Sequence, residues 1–200
     1  KMKINTLNKI ITILIVISFM ILVFLIGNII KDLTNKVKET ETLDTIDNYS
    51  YVLTDSDTDY YKEQFKELKK ILQAEEVNEE EYAKTISKLF LIDFYSLASS
   101  INKNDVGGSQ YVEESYRDTF IRKAKDTIYA NVENNIYGDR KQELPNVTQV
   151  EITKITKTKT GYETQASITY DKELGYAKEV ILTLTKKENI LEISSLKENS

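Results

Sequence analysis

Tyr162-Glu-Thr-Gln-Ala-Ser-Ile-Thr-Tyr170 alternates without a break. Tyr162, Thr164, Ala166, Ile168 and Tyr170 fall on one face, and Glu163, Gln165, Ser167 and Thr169 fall on the other. A period of two sustained in this way specifies a strand with one buried and one wet side. In a following strand over 176–186, Val180, Leu182 and Leu184 continue the apolar face, and strands over 147–157 and 190–196 complete a set of four. The connections Thr158-Lys-Thr-Gly161, Asp171-Lys-Glu-Leu-Gly175 and Lys186-Lys-Glu-Asn189 are short, which implies an antiparallel meander. In the first strand the apolar set slips from Val150 and Ile152 to Ile155, the mark of a bulge.

Upstream of Val147 the period becomes helical. Tyr61, Phe65, Leu68 and Leu72 step by four, three and four in a helix over 58–74, with Ser56 and Asp59 as a capping box. Asn78 and Glu81 start a second helix over 79–102. Its stripe of Tyr82, Ile86, Leu89, Phe90, Leu97 and Ile101 is widened by Leu91, Ile92, Phe94 and Tyr95 to most of the circumference, so it is expected to be covered on several sides and to sit centrally. A third helix over 112–137 presents Phe120, Ala124, Ile128 and Val132 and stops at Gly138. Tyr49–Thr54 reads as a short strand, and residues 31–48, polar and threonine-rich, read as a linker. Helices followed by a one-sided antiparallel sheet make an α+β layer arrangement.

The N-terminus carries a different signal. Residues 10–30 run for 21 positions without a charge, and a helix of that length reaches about 31 Å, against a bilayer core of roughly 30 Å. Lys1, Lys3 and Lys9 precede the run with no acid among them. Of the 27 Lys and Arg, these three lie in the tail, leaving 24 against 32 acidic residues beyond it, a net of −8. The expectation is an uncleaved signal anchor, N-terminus cytoplasmic and the rest extracytoplasmic, because Gly27-Asn28-Ile29-Ile30 lacks a small-residue cleavage pattern.

Composition removes whole classes of chemistry. With no Cys and no His, there is no thiolate, no Cys-His or Ser-His-Asp constellation and almost no route to a zinc site. A net-acidic body disfavours nucleic acid. Asp55-Ser-Asp57-Thr-Asp59 opens like a calcium loop, but Tyr60 stands where Gly is required and Lys66 where a bidentate Glu is needed. The glycine pair in the loop Asn102–Ser109 lacks the phosphate-loop Lys-Ser/Thr and reads as a tight reversal. One polar residue stands out. Asp93 projects from the apolar stripe of the second helix, where a carboxylate is either partnered or raised in pKa. It could pair with Arg117 or Arg122, cap the next loop, or face a pocket.

Over about 49–197 the order of elements resembles the nuclear transport factor 2-like superfamily, in which helices fold into the concave face of a curved sheet. A membrane-anchored branch of that superfamily includes inner-membrane scaffold proteins of type IV secretion and conjugation machines. The resemblance implies a cone-like curved sheet and a scaffold role. The superfamily's isomerase members, which use an Asp base with Tyr and acid donors, suggest Asp93 as the residue that would carry chemistry if any did.

The expected molecule is therefore α+β: a cytoplasmic tail at 1–9, a transmembrane anchor at 10–30, a linker at 31–48 and an extracytoplasmic domain at 49–200, with about three helices on a four-stranded meander. Its expected role is a non-enzymatic interaction or scaffold domain of a bacterial cell-envelope assembly. It would be integral to the membrane by a single pass, with protein partners, no nucleic acid, no metal and no cofactor. The alternative is a small-ligand or peptide binder using the concave pocket, and a third reading is an acid-base enzyme centred on Asp93.

Overall fold

The computed structural model describes residues 9, 12, 14–28 and 40–199. The chain falls into two units, 1–39 and 40–200. In the first, 14–28 is helical and its large apolar side chains are exposed, Phe19 and Phe24 at 65% and 68%. Among the described residues no helix is long and apolar enough to cross a membrane. The expected N-terminal transmembrane helix is corrected accordingly. The tail at 1–8, the linker at 31–39 and Ile10, Ile11, Ile13, Ile29 and Ile30 of the apolar run lie outside the described residues.

The second unit is α+β. A hairpin of β1 (Thr42–Ile46) and β2 (Tyr51–Thr54) comes first, antiparallel, with Ile46, Tyr51 and Leu53 buried. Its turn places Asn48 and Ser50 at positive φ. α1 (Asp59–Leu72) buries Tyr61, Phe65, Leu68 and Leu72, the four positions that its spacing identified. Its cap is Thr58, whose side chain accepts from the Tyr61 amide, and not Ser56. A Lys69–Asp44 ion pair at 2.6 Å ties α1 to β1.

α2 (Glu79–Tyr95) starts where Asn78 accepts from the Glu80 and Glu81 amides, with three glutamates facing the positive end of the helix dipole. It ends seven residues before the expected boundary. Beyond Tyr95 the backbone turns, and its freed groups find distant partners. The Ala98 amide donates to Pro145 O, and the Arg140 guanidinium donates to Ala98 O and Ser100 O. A 3₁₀ turn (Ser109–Tyr111) leads into α3 (Glu114–Asp126). That helix also stops short of Gly138, as the Thr127 hydroxyl donates back to Lys123 O.

The sheet is the meander β3 (Val147–Lys157), β4 (Gly161–Tyr170), β5 (Glu179–Lys187) and β6 (Ile190–Glu198), antiparallel in that order. Pairing of β3 with β4 shifts between Ile152 and Lys154, which is the bulge inferred from the slipped apolar set. α2 lies against the buried face of the sheet. The Ser87 and Thr164 hydroxyls meet at 3.0 Å, and Tyr82 Oη accepts from the Leu191 amide at 3.2 Å. Gly161 is required by proximity alone, since a Cβ there would come within 2.1 Å of Leu184 O.

Leu89 is fully buried on α2. Leu89→Ala is expected to cost about 2–5 kcal/mol, from lost transfer energy plus the residual cavity. Urea unfolding followed by tyrosine fluorescence checks it.

Candidate functional site

The residues that follow α2 return over its last turn and enclose a cavity of about 410 Å³. Its walls come from β2, the turn into α1, the end of α2 and the loop through 99–110, and no residue of the four-stranded sheet lines it. The space is therefore not the pocket of a cone. The sheet's buried face is occupied by α2 itself.

Asp93 lies in the wall of this cavity, half-buried, two residues before Tyr95, the last of the helix. Its Oδ2 accepts from the Gly108 amide at 2.6 Å. Gly107 packs so closely on Asp93 that a Cβ would meet Asp93 O at 2.2 Å. The Gly107 amide donates to Tyr129 Oη, which donates to Phe94 O at 2.7 Å. Gly108 sits at φ 72°, in the left-handed region, with Phe90 against it. The glycine pair thus lets the loop lie flat on α2 and present an amide to the carboxylate. Of the three roles weighed for Asp93 besides chemistry, capping the next loop and facing a pocket both describe it. The Arg117 guanidinium instead donates to Val112 O.

Burial pushes the Asp93 carboxyl up to about 7, with the negative charges of Asp57 and Asp105 adding to the shift and the Gly108 amide opposing it. Asp57, also in the lining, accepts from the Thr54 amide and hydroxyl at 2.6 and 2.9 Å, and burial holds its carboxyl above the usual range. Asp105 accepts from the Ile101 amide at 2.8 Å. Between these carboxylates the lining is dominated by serine and threonine hydroxyls, with Tyr61 and Gln110 and with no Lys or Arg. Gln110 pairs its amide with both Val52 N and Val52 O, in the manner of a further strand, and donates to Tyr61 Oη. Tyr61 Oη meets Tyr111 Oη at 2.5 Å, and burial drives both phenols well above their ordinary pKa. Among the described residues no three acidic side chains stand close enough together to hold a metal ion.

Sequence spacing identified Asp93 but not its company. Asp57 reads as part of a helix start and Asp105 as loop, and the serines of 96–100 read as helix. Nothing in their spacing brings them to Asp93, because the chain reversals at 55–58 and 96–108 do so. Compared with known proteins, the chain matches no family model, no curated protein and no solved structure.

The raised carboxyl carries a sign for stability. Between about 4, the unfolded value, and about 7 the folded state keeps the Asp93 proton that the unfolded chain has lost. Folding then takes up a proton, so stability falls as pH rises through that window and levels off above it. Asp93→Asn keeps an acceptor for Gly108 and removes the charge. It is expected to flatten this contribution and to stabilise the protein at pH 8 by on the order of 2 kcal/mol, read from urea midpoints at pH 5 and pH 8.

Proposed function

We propose that residues 40–199 form a binding domain for a small, positively charged, hydroxyl- or amine-bearing molecule held in the cavity beside Asp93. The carrying observation is the lining itself: three carboxylates and many hydroxyls converge on about 410 Å³ with no basic residue among them. A volume of that order falls in the usual range for small-molecule sites of roughly 300–1,000 Å³. Asp57 and Asp105 spend acceptor capacity on backbone amides, whereas Asp93 has its Gly108 contact on one oxygen and its other oxygen toward Gly107. An ammonium group placed there would gain a partner for a carboxylate that burial otherwise penalises.

Binding is favoured over catalysis. Acid-base chemistry needs a second group in reach of the first, and the donor to the Asp93 carboxylate is the Gly108 backbone amide. The phenols of Tyr61 and Tyr111 are bonded to each other, and Tyr61 Oη also accepts from Gln110. Docking of a protein along the sheet edge, the other route to an interaction role, has less behind it. The β6 edge is bridged to Val112, and β3 carries a bulge with Lys154 and Lys157, features that blunt an edge.

Isothermal titration of the full chain with ethanolamine, glucosamine and glucose tests the reading. The two amines are expected to bind saturably, one per chain, and glucose to bind at least roughly tenfold more weakly, in keeping with loss of a buried charge-assisted contact. Binding should strengthen as pH rises through about 7, where Asp93 ionises, and Asp93→Asn should remove that dependence. Equal binding of amine and sugar, or none, would sink the proposal.

A further inference from the structure

A second concavity, of about 550 Å³, shares the last turn of α2 with the first but none of its lining residues. Its character is the reverse. Phe94 and Phe120, both nearly inaccessible, have ring centroids 5.1 Å apart. Tyr116 on α3 forms one wall, 6.4 Å from Phe120. Tyr176, in the loop between β4 and β5, forms another. That loop is pinned to the sheet. Tyr170 Oη donates to Ala177 O at 2.6 Å, and the Tyr170 and Tyr176 rings lie 6.2 Å apart. The groove is thus a built space with aromatic surfaces, within the size range of small-molecule sites.

Two charged side chains line it, Lys123 and Glu198, and the carboxylate is engaged by a phenol. Glu198 accepts from Tyr95 Oη at 2.7 Å, and the Thr127 hydroxyl donates to Lys123 O. The Lys123 ammonium stands 5.8 Å from the Tyr116 ring centroid, and among the described residues no carboxylate lies within ion-pair distance of it. An apolar trough ending at an unpaired cation selects an amphiphile: apolar surface leaves water along the trough, and an anionic head meets the lysine.

We propose that this groove binds a single aliphatic chain with one carboxylate head, the chain over Phe94 and Phe120 between Tyr116 and Tyr176 and the head at Lys123. The site is independent of the acidic cavity, whose lining would repel the same head.

The test uses a hexadecanoate bearing a diazirine in its chain, irradiated with the full chain and followed by peptide mapping. The exposed apolar residues of 14–28 are expected to take some label nonspecifically, and the mapping separates the two. Labelling of the peptides around Tyr116–Ile128 and Leu174–Ala177 should saturate and be competed by unlabelled hexadecanoate. Lys123→Glu should lower it roughly fivefold, the effect of replacing one solvent-facing attraction by repulsion. Lys123→Arg should preserve it, and Asp93→Asn should leave it unchanged. Label confined to 14–28 or scattered over the chain, or equal labelling of wild type and Lys123→Glu, overturns the proposal. An effect of Asp93→Asn as large as that of Lys123→Glu overturns the independence of the two sites.

Discussion

A helix that is apolar around most of its circumference cannot remain beside water, and α2 puts that constraint on everything near it. Eleven of its 17 residues are buried, so one packing surface is not enough. The sheet covers one side and α1 another, and the β1–β2 hairpin and the loop through 99–110 close the remainder. Each large apolar side chain buried there contributes about 1.5–3 kcal/mol, offset by the cost of ordering the segments that cover it. The cover has to include polar chain, and the interior accommodates this by pairing its hydroxyls. Tyr51 meets Tyr82, Tyr61 meets Tyr111, and Ser87 meets Thr164, all buried. No buried side-chain nitrogen or oxygen among the described residues is left without a partner.

That constraint explains which parts of the fold were legible in the sequence. Elements that bury a single face announce themselves by period, and so the meander, the α1 stripe and even the bulge at Thr153 could be read directly. The β1 strand could not. Thr42-Leu-Asp-Thr-Ile46 buries only Ile46 fully, and its pairing is decided by Tyr51 and Leu53 across the turn. By its sequence alone it reads as linker. Helix ends fared worst. Leu97 and Ile101 keep the apolar rhythm of α2, but Leu97 is buried in a turn and not on a helix. Arg140, some forty residues on, stabilises that turn by taking its carbonyls. A local pattern cannot contain a partner at that separation.

The same limit applies to the cavity. A carboxylate inside an apolar stripe is a local anomaly, and Asp93 could be singled out on that basis alone. Its surroundings are a product of chain return. The Gly107-Gly108 pair reads as a plain reversal, and a reversal it is, but its location on α2 turns one of its amides into the partner of Asp93. Asp57, read at a helix start, and Asp105, read in a loop, are ordinary acids in sequence and become sources of repulsion only when brought to the same space.

Asp93 and Phe94 are consecutive residues, yet one borders a polar, acidic cavity and the other an aromatic trough. On a helix, neighbouring positions point about 100° apart, so a single turn can serve as the wall between two spaces of opposite chemistry. Tyr129 reinforces the wall from behind. Its hydroxyl receives the Gly107 amide on the acidic side and donates to Phe94 O on the other. A change in one space could reach the other only if this wall had two arrangements with different affinities for the two ligands. The wall is instead held by α2 backbone bonds, by glycines with no room for a Cβ, and by a phenol bonded at both ends. Those features set the spacing of the two cavities and argue that charge at Asp93 and apolar contact at Phe94 act separately.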